Sequence, residues 1–393
     1  MQFPSLILKP KRERSLIHRH PWLFSGAVQT LPIAEDGDIV TVKSFEGKVL
    51  AFGFFAPQNQ IICRLFHFSE QPEDFLSISY WLQKIQSALA IRRQTVITSE
   101  TNCYRLLHAE GDFVPGIIAD VYDKVVVLQI LTKGLEKLSK LIFEALAQLG
   151  FQHIYVKSKN STGVLEDVKA QSYWASEPCH SPVEVIENGQ KFWVDFIEGQ
   201  KTGFFIDQRD NRLALMKQSK DKKVLNAFSY TGGFSVYALA GGASEVHSLD
   251  ISEKAVELSH TNAELNNYEG KHFKIVQDCF DYLKDMPKDE FDIIVLDPPA
   301  FAKHARAVAN ATRGYKQINM KAIQSIKSGG LIYTFSCSQN ISQELFQKVV
   351  FGAAADARRN VRIVQQLHQP SDHPINIFHP EGEYLKGLVL WVE

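Results

Sequence analysis

The stretch KKVLNAFSYTGGF, residues 222–234, decides the fold of the second half of the chain. An apolar run leads directly into Gly232 and Gly233, and the pattern that follows, FSVYALA, is typical of a helix. Glycine has no Cβ and tolerates positive φ, so backbone N–H groups in such a turn can closely approach a ligand. Taken alone, two glycines after a strand indicate only a turn.

Strands and helices continue to alternate after this turn. The predicted strands are KKVLNAF (222–228), SEVHSLDI (244–251), FKIVQD (273–278), FDIIVLD (291–297), GLIYTFS (330–336), VRIVQQL (361–367) and GLVLWV (387–392). The helical patterns between them include residues 234–240, 253–268, 317–327 and 343–359. Near-continuous apolar strands separated by helices predict a mostly parallel seven-stranded sheet covered on both faces. A proline-containing loop in place of a helix precedes the final strand, which favours an antiparallel final strand.

The chain divides into three predicted domains. Residues 1–72 alternate apolar and polar positions between Gly and Pro turns, as in a small β-barrel. Residues 73–189 predict an α+β domain with helices over 77–96 and 135–150. Residues 190–393 contain the sheet described above. The fold class is therefore α/β, preceded by a small barrel and an α+β middle domain.

Composition places few limits on function. The chain has 393 residues, of which 45% are hydrophobic and 22% charged, as in ordinary globular proteins. The net charge of −1 and a pI near 6.9 give no bulk signal for nucleic-acid binding. No apolar run is long enough to span a membrane. Five scattered cysteines without a CxxC pair predict neither disulfides nor a metal site, so we expect a cytoplasmic protein.

Three aspartates follow consecutive predicted strands: Asp250, Asp278 and Asp297. Each alone could be a helix N-cap, but three at the carboxyl edge of one sheet predict a nucleotide-type cofactor site. The glycine turn is not GxGxxG, and DPP has no usual role in a dehydrogenase. S-adenosylmethionine is therefore favoured over NAD.

Cys337 ends the fifth strand, between Ser336 and Ser338. A cysteine in a strand is often a packing residue, but this one lies beyond the apolar run at the predicted site edge. A thiolate there could add to C6 of a cytosine and activate C5 towards methylation. Cys279 is expected to pack.

Several segments together resemble the RlmI-type family of bacterial 23S rRNA cytosine-C5 methyltransferases. They are NAFSYTGGF, SLD, DPPAF, RGYKQIN and TFSCS, with HRHPWLFSGAV, LLHAEGDFVPGIIADVYD, GQKTGFFIDQRDNR and HPEGEYLKG elsewhere. The resemblance covers essentially the whole chain. It implies a PUA domain, a linking α+β domain and a Rossmann-like class I methyltransferase domain. Many members of that family read DPPKF where this chain has Ala300.

The resemblance also implies roles for individual residues. Cys337 would be the nucleophile, and the cofactor would contact Phe228, Ser229, Tyr230, Gly232, Asp250, Asp278, Asp297, Asp207, Gln208 and Arg209. Glu381 is the candidate base that removes the C5 proton. Asp297 could instead hold the exocyclic amine of the base by accepting its hydrogen bond.

A basic segment near the start is the candidate RNA surface. Lys9, Lys11, Arg12, Arg14 and Arg19 could bind phosphate, and Trp22 could stack on a base. Arg306, Arg313, Tyr315 and Lys316 follow DPPAF and could assist. The expected partner is large-subunit ribosomal RNA. An N-methyltransferase acting on ribosomal RNA, a non-catalytic RNA-binding or assembly factor and, last, a dehydrogenase are the alternatives.

Overall fold

A computed structural model of the chain describes residues 2–158, 168, 171–302 and 304–393. The chain forms two compact units, and each is interrupted by segments of the other. The first contains residues 1–185, 194–204 and 371–382, and the second contains residues 186–193, 205–370 and 383–393. The predicted boundaries at 72 and 189 remain proposals.

The first unit begins with a six-stranded sheet. Its strands are β1 (Ser5–Leu8), β2 (Trp22–Phe24), β3 (Val28–Thr30), β4 (Ile39–Lys43), β5 (Val49–Phe55) and β6 (Ile61–His67). They lie in the order β2-β6-β5-β4-β1-β3, antiparallel except where β1 pairs with β4. A short helix, α1 (Arg14–Ile17), precedes β2. Leu6, Leu8, Val40 and Val42 fill the interior of this sheet because alternate strand residues face the same side.

A five-stranded sheet follows in the same unit. Its strands are β7 (Cys103–His108), β8 (Ile117–Tyr122), β9 (Val125–Ile130), β10 (His153–Val156) and β11 (Tyr173–Trp174), in the order β11-β10-β9-β8-β7. The helix predicted over 77–96 is α2 (Ile78–Thr95). Ser77 caps α2 by accepting a hydrogen bond from the Tyr80 N–H.

One hydrophobic core joins the first sheet to the middle region. Phe54 of β5 and Phe66 of β6 pack against Trp81 of α2, which is fully buried. The Trp81 indole N–H donates to the carbonyl of Phe75, so burial leaves it hydrogen-bonded. The sequence pattern does not predict this shared core.

The single helix predicted over 135–150 is wrong, because the structure contains two helices there. They are α3 (Lys133–Lys137) and α4 (Ser139–Gln148), and the chain departs from helical geometry at Leu138. Gly134 approaches the Phe54 ring so closely that a Cβ would lie 2.2 Å from it. The spacing of apolar residues in the sequence does not predict this contact between Gly134 and Phe54.

The second unit contains the seven-stranded sheet. After the hairpin strands β12 (Val183–Glu187) and β13 (Gln190–Val194), its strands are β14 (Lys223–Ala227), β15 (Glu245–Asp250), β16 (Lys271–Val276), β17 (Ile293–Leu296), β18 (Gly330–Ser336), β19 (Val361–Leu367) and β20 (Lys386–Val392). Their order is β16-β15-β14-β17-β18-β20-β19. The first five are parallel, and β20 is antiparallel to both neighbours, as the proline-containing loop predicted.

Helices flank this sheet: α5 (Arg209–Met216), α6 (Gly233–Ala240), α7 (Glu253–Glu264), α8 (Cys279–Asp285), α9 (Val308–Ser325) and α10 (Gln343–Ala357). Helix α9 begins nine residues before the predicted start at 317. Fully buried apolar side chains of β14, β17 and β18 form the core, among them Leu225, Ile294, Leu296 and Ile332. Because β14 to β18 are parallel, their carboxyl ends lie at one edge of the sheet. The predicted site residues lie at the ends of these strands or directly after them.

Candidate active site

The glycine turn after β14 is held in a strained conformation. Phe228 and Tyr230 have φ values of 61° and 47°, and Gly232 has a φ of 80°. A Cβ at Gly232 would lie 2.9 Å from the Ser259 side chain. Glycine is therefore required at this position by both the backbone angle and the close packing of α7.

Asp250 fixes this turn from the next strand. Its carboxylate accepts hydrogen bonds from the N–H groups of Tyr230, at 2.9 Å, and Ser252, at 3.0 Å. Each carboxylate oxygen can accept a second hydrogen bond. The carboxylate can therefore hold the turn and still accept ribose hydroxyls.

Asp278 lies two residues beyond β16 and caps α8. Its Oδ1 accepts from the N–H groups of Phe280 and Asp281, which are the only hydrogen bonds that the described residues give its carboxylate. Oδ2 remains available to a ligand donor. The capping role and a cofactor contact are thus compatible.

Two buried polar atoms near the turn fit a bound cofactor. Oδ1 of Asn226, at the end of β14, and Oγ of Ser229 have no hydrogen-bond partner within the described ranges. A buried polar atom without a partner is costly and indicates a missing ligand or water. Together with Asp250 and Asp278, these atoms supply acceptors and a hydroxyl suited to an adenosyl group.

Asp297 and Gln208 meet at this edge of the sheet. The amide Nε2 of Gln208 donates to Oδ1 of Asp297 at 3.0 Å, and its Oε1 accepts from Asn211 at 2.6 Å. Asp207 is also buried, and its Oδ2 accepts a 2.7 Å hydrogen bond from the Tyr384 hydroxyl. Gln208, Asn211 and Asp297 are thus joined by hydrogen bonds, and Asp207 is the neighbour of Gln208 in the chain. Contact of these residues with the cofactor stays a prediction.

Arg209 takes part in a buried ionic cluster with Glu187, and its contact with the cofactor stays a prediction. Arg212 donates to both carboxylate oxygens of Glu187 at 2.6–3.0 Å, and the Nε of Arg209 lies 3.5 Å from Oε2. The Tyr237 hydroxyl also donates to Glu187. Glu187 and Arg212 were missed from sequence, because a strand glutamate reads as a surface residue.

Cys337 follows β18 directly and is partly exposed. The next residue, Ser338, is buried, and its Oγ accepts from the Ala302 N–H at 3.2 Å and contacts the Tyr315 hydroxyl at 3.1 Å. Asn340 donates to the carbonyl of Ala302. The loop carrying the thiol is therefore tied to the loop that follows Asp297.

Lys386, which the sequence analysis did not single out, lies beside the loop that carries the thiol. It lies opposite Ser336 in the β18–β20 pair, is 5% exposed, and donates from Nζ to the Ser338 carbonyl at 2.8 Å. Burial lowers the pKa of Lys386 to about 8, against the opposing effects of Cys337 and Glu383. The only sequence signal was a lysine at the start of an otherwise apolar strand.

Cys279 is a packing residue, as expected. It is buried beneath the glycine turn, and burial raises the pKa of its thiol to about 12. A thiol that does not ionise near neutral pH is a poor nucleophile.

The basic segment near the start is exposed. Lys11, Arg12 and Arg14 face solvent, and Lys9 donates to the carbonyl of Gly26. Arg19 lies 5.7 Å from the ring centres of Phe68 and Phe378.

Trp22 makes internal contacts: its indole N–H donates to Glu110 at 2.7 Å, and the rings of Trp22 and His379 are 4.4 Å apart. The neighbouring Phe24, which the sequence analysis did not single out, is 50% exposed.

The candidate RNA-binding residues after DPPAF differ in their exposure to solvent. Arg306 and Arg313 are exposed. Tyr315 is fully buried against Phe301 and Phe346. Its ring has no accessible face, so the expectation that Tyr315 assists RNA binding is wrong. Lys316 pairs with Asp356 at 2.7 Å.

Glu381 lies in the first unit, within the loop between β19 and β20. Its Oε2 is 3.5 Å from Nε2 of His20 and 3.8 Å from Nε2 of His379.

Within the described part of the chain, no group of three or more His, Cys, Asp or Glu side chains could hold a metal ion. The same residues contain no helix long and apolar enough to cross a membrane.

Comparison with known families decides the class. A family profile described as S-adenosylmethionine-dependent methyltransferase matches residues 104–382, and a PUA-like domain profile matches residues 6–68. The chain belongs to the S-adenosylmethionine-dependent methyltransferase family. The family, the fold class and the cofactor expected from the sequence are thereby confirmed.

Relatives of this methyltransferase align over nearly the full length. A protein of Pseudoalteromonas translucida (strain TAC 125) is 42% identical over 98% of both chains, and one of Escherichia coli (strain SMS-3-5 / SECEC) is 38% identical over 98% of both. Both are named ribosomal RNA large subunit methyltransferase I. A solved structure from Streptococcus mutans, assigned to the SAM-dependent methyltransferases, shares the fold with a TM-score of 0.84 over 100% of both chains at 24% identity.

Proposed function

We propose that the enzyme methylates C5 of a cytosine in large-subunit ribosomal RNA, with Cys337 as the nucleophile. The names of the full-length relatives support the RNA substrate. One structural observation supports the chemistry: a partly exposed thiol at the carboxyl end of β18, in a loop hydrogen-bonded to the loop after Asp297. A nitrogen methyltransferase needs no thiol there.

The proposed reaction uses the thiolate to activate an otherwise weak nucleophile. The Cys337 thiolate adds to C6 of cytosine, and the electrons of the C5–C6 double bond make C5 nucleophilic. S-adenosylmethionine, when bound, would supply the electrophilic methyl group, so that C5 gains the methyl and S-adenosylhomocysteine is the leaving group. A base then removes the C5 proton, the double bond forms again, and the C6–S bond breaks to release the thiolate.

Two carboxylates have proposed roles in this scheme. Asp297, held by Gln208, would accept a hydrogen bond from the exocyclic amine and orient the ring. Glu381 is the candidate base. The target cytosine must be unpaired or flipped out of a helix, because the thiol cannot reach C6 within a stack.

The proposed RNA surface consists of the exposed basic segment and Phe24. Arg306 and Arg313, which are closer in the sequence to Asp297, are its other members. An enzyme with this substrate would work in the cytoplasm. Phosphate contacts of this kind should make RNA binding strongly salt-dependent.

The test uses the purified enzyme, methyl-labelled S-adenosylmethionine and undermodified ribosomal RNA. Nucleosides from the digested RNA are identified by mass spectrometry. We expect labelled 5-methylcytidine with the wild type and a loss of more than about a thousandfold for Cys337→Ala. Cys179→Ala is the matched control, since that partly exposed thiol lies in the first unit, outside the seven-stranded sheet, and its loss should leave the rate nearly unchanged.

A second readout captures the covalent step itself. RNA containing 5-fluorocytidine should form a stable protein–RNA adduct, because the base cannot remove fluorine from C5. The adduct should be absent with Cys337→Ala and should accumulate on ordinary RNA with Glu381→Gln if Glu381 is the base. Label on another nucleoside, or full activity of Cys337→Ala, would show a nitrogen methyltransferase instead.

A further inference from the structure

Lys386 spans the peptide segment that carries the thiol. Its Cα lies opposite that of Ser336, and its Nζ donates at 2.8 Å to the carbonyl of Ser338. The side chain therefore runs from the residue before Cys337 to the residue after it. This is possible only because β20 is antiparallel to β18 and begins where β18 ends.

A lysine in this position requires an explanation, because desolvating an ammonium group is costly. The Ser338 carbonyl is the hydrogen-bond acceptor that the described residues give it, and a carbonyl carries only a partial charge. The ionisable groups that act on Lys386 are Cys337 and the exposed Glu383. The Tyr315 hydroxyl lies 3.1 Å from Ser338 Oγ, and its pKa is raised by burial and, to a smaller extent, by Cys337. A buried cation thus lies beside Cys337, a thiol that is partly exposed to solvent.

We infer that Lys386 is the positioning residue for the nucleophile: it takes the proton from the Cys337 thiol and holds the resulting thiolate as an ammonium–thiolate pair. The proton leaves Sγ for the neutral amine Nζ, so the net charge of the pair does not change. This inference rests on the proposed role of Cys337. It adds a residue that makes the thiol reactive before RNA arrives.

Burial makes this proton transfer feasible near neutral pH. It holds the pKa of Lys386 near 8, close to the ordinary thiol value of about 8.5. At pH 7 about one Lys386 in ten is then the neutral amine that can accept a proton, whereas at the ordinary lysine pKa only about four in ten thousand would be. After the reaction, elimination returns the thiolate to the same ammonium partner, ready for another substrate.

The test measures thiol reactivity without RNA or methyl transfer. The full-length enzyme is alkylated with iodoacetamide between pH 5.5 and 9.5, and the peptides containing Cys337 and Cys179 are quantified by mass spectrometry. Cys179, which is partly exposed in the first unit, is an internal reference. We expect half-maximal alkylation of Cys337 at a pH clearly below that of an ordinary thiol, about 8.5. An ordinary profile in the wild type would overturn the inference without any variant.

Lys386→Met removes the charge and keeps the length of the side chain. We expect Cys337 alkylation at pH 7 to fall by at least about tenfold, since each pH unit of displacement changes the thiolate fraction tenfold. Alkylation of Cys179 should not change. Lys327→Met, which removes a lysine paired with Asp292, is the matched control. Thermal melting and S-adenosylhomocysteine binding verify that the variants are folded.

The methylation rate distinguishes this inference from the proposed function. In Lys386→Met, methylation should be slow at pH 7 and recover as pH rises towards 9, whereas a purely structural defect would persist at every pH. An unchanged alkylation profile with normal 5-methylcytidine formation overturns the role of Lys386 alone. A Lys386-dependent thiolate in an enzyme that forms no 5-methylcytidine overturns the proposed function alone.

Discussion

The side-chain amide of Gln208 donates a hydrogen bond to Asp297, with 3.0 Å between Nε2 and Oδ1. The orientation of this amide is fixed, because Asn211 donates to its Oε1. Gln208 can therefore present only its NH₂ group to the carboxylate. Asp297 is held in one orientation before any substrate binds.

Loss of this contact should slow methylation without unfolding the enzyme. We expect Gln208→Ala to lower kcat/KM for RNA by roughly tenfold or more, the value of a hydrogen bond to a charged group. Asp297→Asn should lower kcat/KM further, because it changes the hydrogen-bond acceptor itself. Gln365→Ala, on the exposed face of β19, is the control. Normal kinetics for Gln208→Ala beside an inactive Asp297→Asn would show that Asp297 needs no support.

The glycine turn offers a second prediction with a matched pair of variants. Gly232 and Gly329 both have a φ of 80°, but an added Cβ would contact Ser259 only at Gly232 and would enter open space at Gly329. Gly329→Ala should cost only the backbone strain, about 1–2 kcal/mol. Gly232→Ala should unfold at a lower urea concentration than Gly329→Ala and should bind S-adenosylhomocysteine more weakly than that variant does. Equal losses in the two variants would mean that the contact with Ser259 is unimportant.

The Glu187 cluster should dominate the stability of the second unit. Glu187→Gln leaves the buried Arg212 with no full countercharge, and breaking such a pair costs about 3–5 kcal/mol. We expect a large fall in the thermal midpoint. Glu257→Gln, which removes an exposed ion pair with Lys274, should change it little. Similar midpoints for the two variants would contradict the proposed importance of the cluster.

His272 should make stability depend on pH. Burial, with smaller effects of His260, His247 and Lys274, lowers its pKa from 6.5 to about 4. Between those values the unfolded chain binds a proton that the folded chain does not, so stability is lost as pH falls from 6.5 towards 4. The loss due to His272 should reach about 2 kcal/mol at pH 5.

Urea unfolding at pH 7.5 and pH 5 measures this effect. His272→Gln should reduce the difference between the two midpoints, whereas the exposed His18→Gln should preserve it. An unchanged difference in His272→Gln would assign the pH dependence to other buried histidines, such as His108.

The sequence predicts those parts of the site that depend on single strands. Gly232, Asp250 and Cys337 each follow an apolar run, and parallel strands bring their carboxyl ends to one edge. All seven predicted strands are present, and the proline-containing loop correctly indicated the antiparallel strand. The residues at strand ends could thus be found without knowing how strands pair.

Residues placed by pairing or packing could not be found in this way. Lys386 reaches the Ser338 carbonyl, next to the thiol, only through the register of β20 against β18, which periodicity does not specify. Tyr315 looked available because it follows a loop, yet α9 begins at Val308 and turns its ring into the core. Glu187 precedes its arginine partners by more than twenty residues, and nothing in the local sequence marks its burial.

The position of β20 between β18 and β19 has a consequence for synthesis of the protein. Strands β14 to β18 can assemble as they emerge from the ribosome, because each parallel pair forms between segments already made. Strand β19 pairs only with β20 among the strands described, so it must wait for a later segment. Until then, β18 presents an open hydrogen-bonding edge next to Cys337. A nascent chain would thus carry the proposed nucleophile without Lys386, so the proposed ammonium–thiolate pair could form only as the sheet closes.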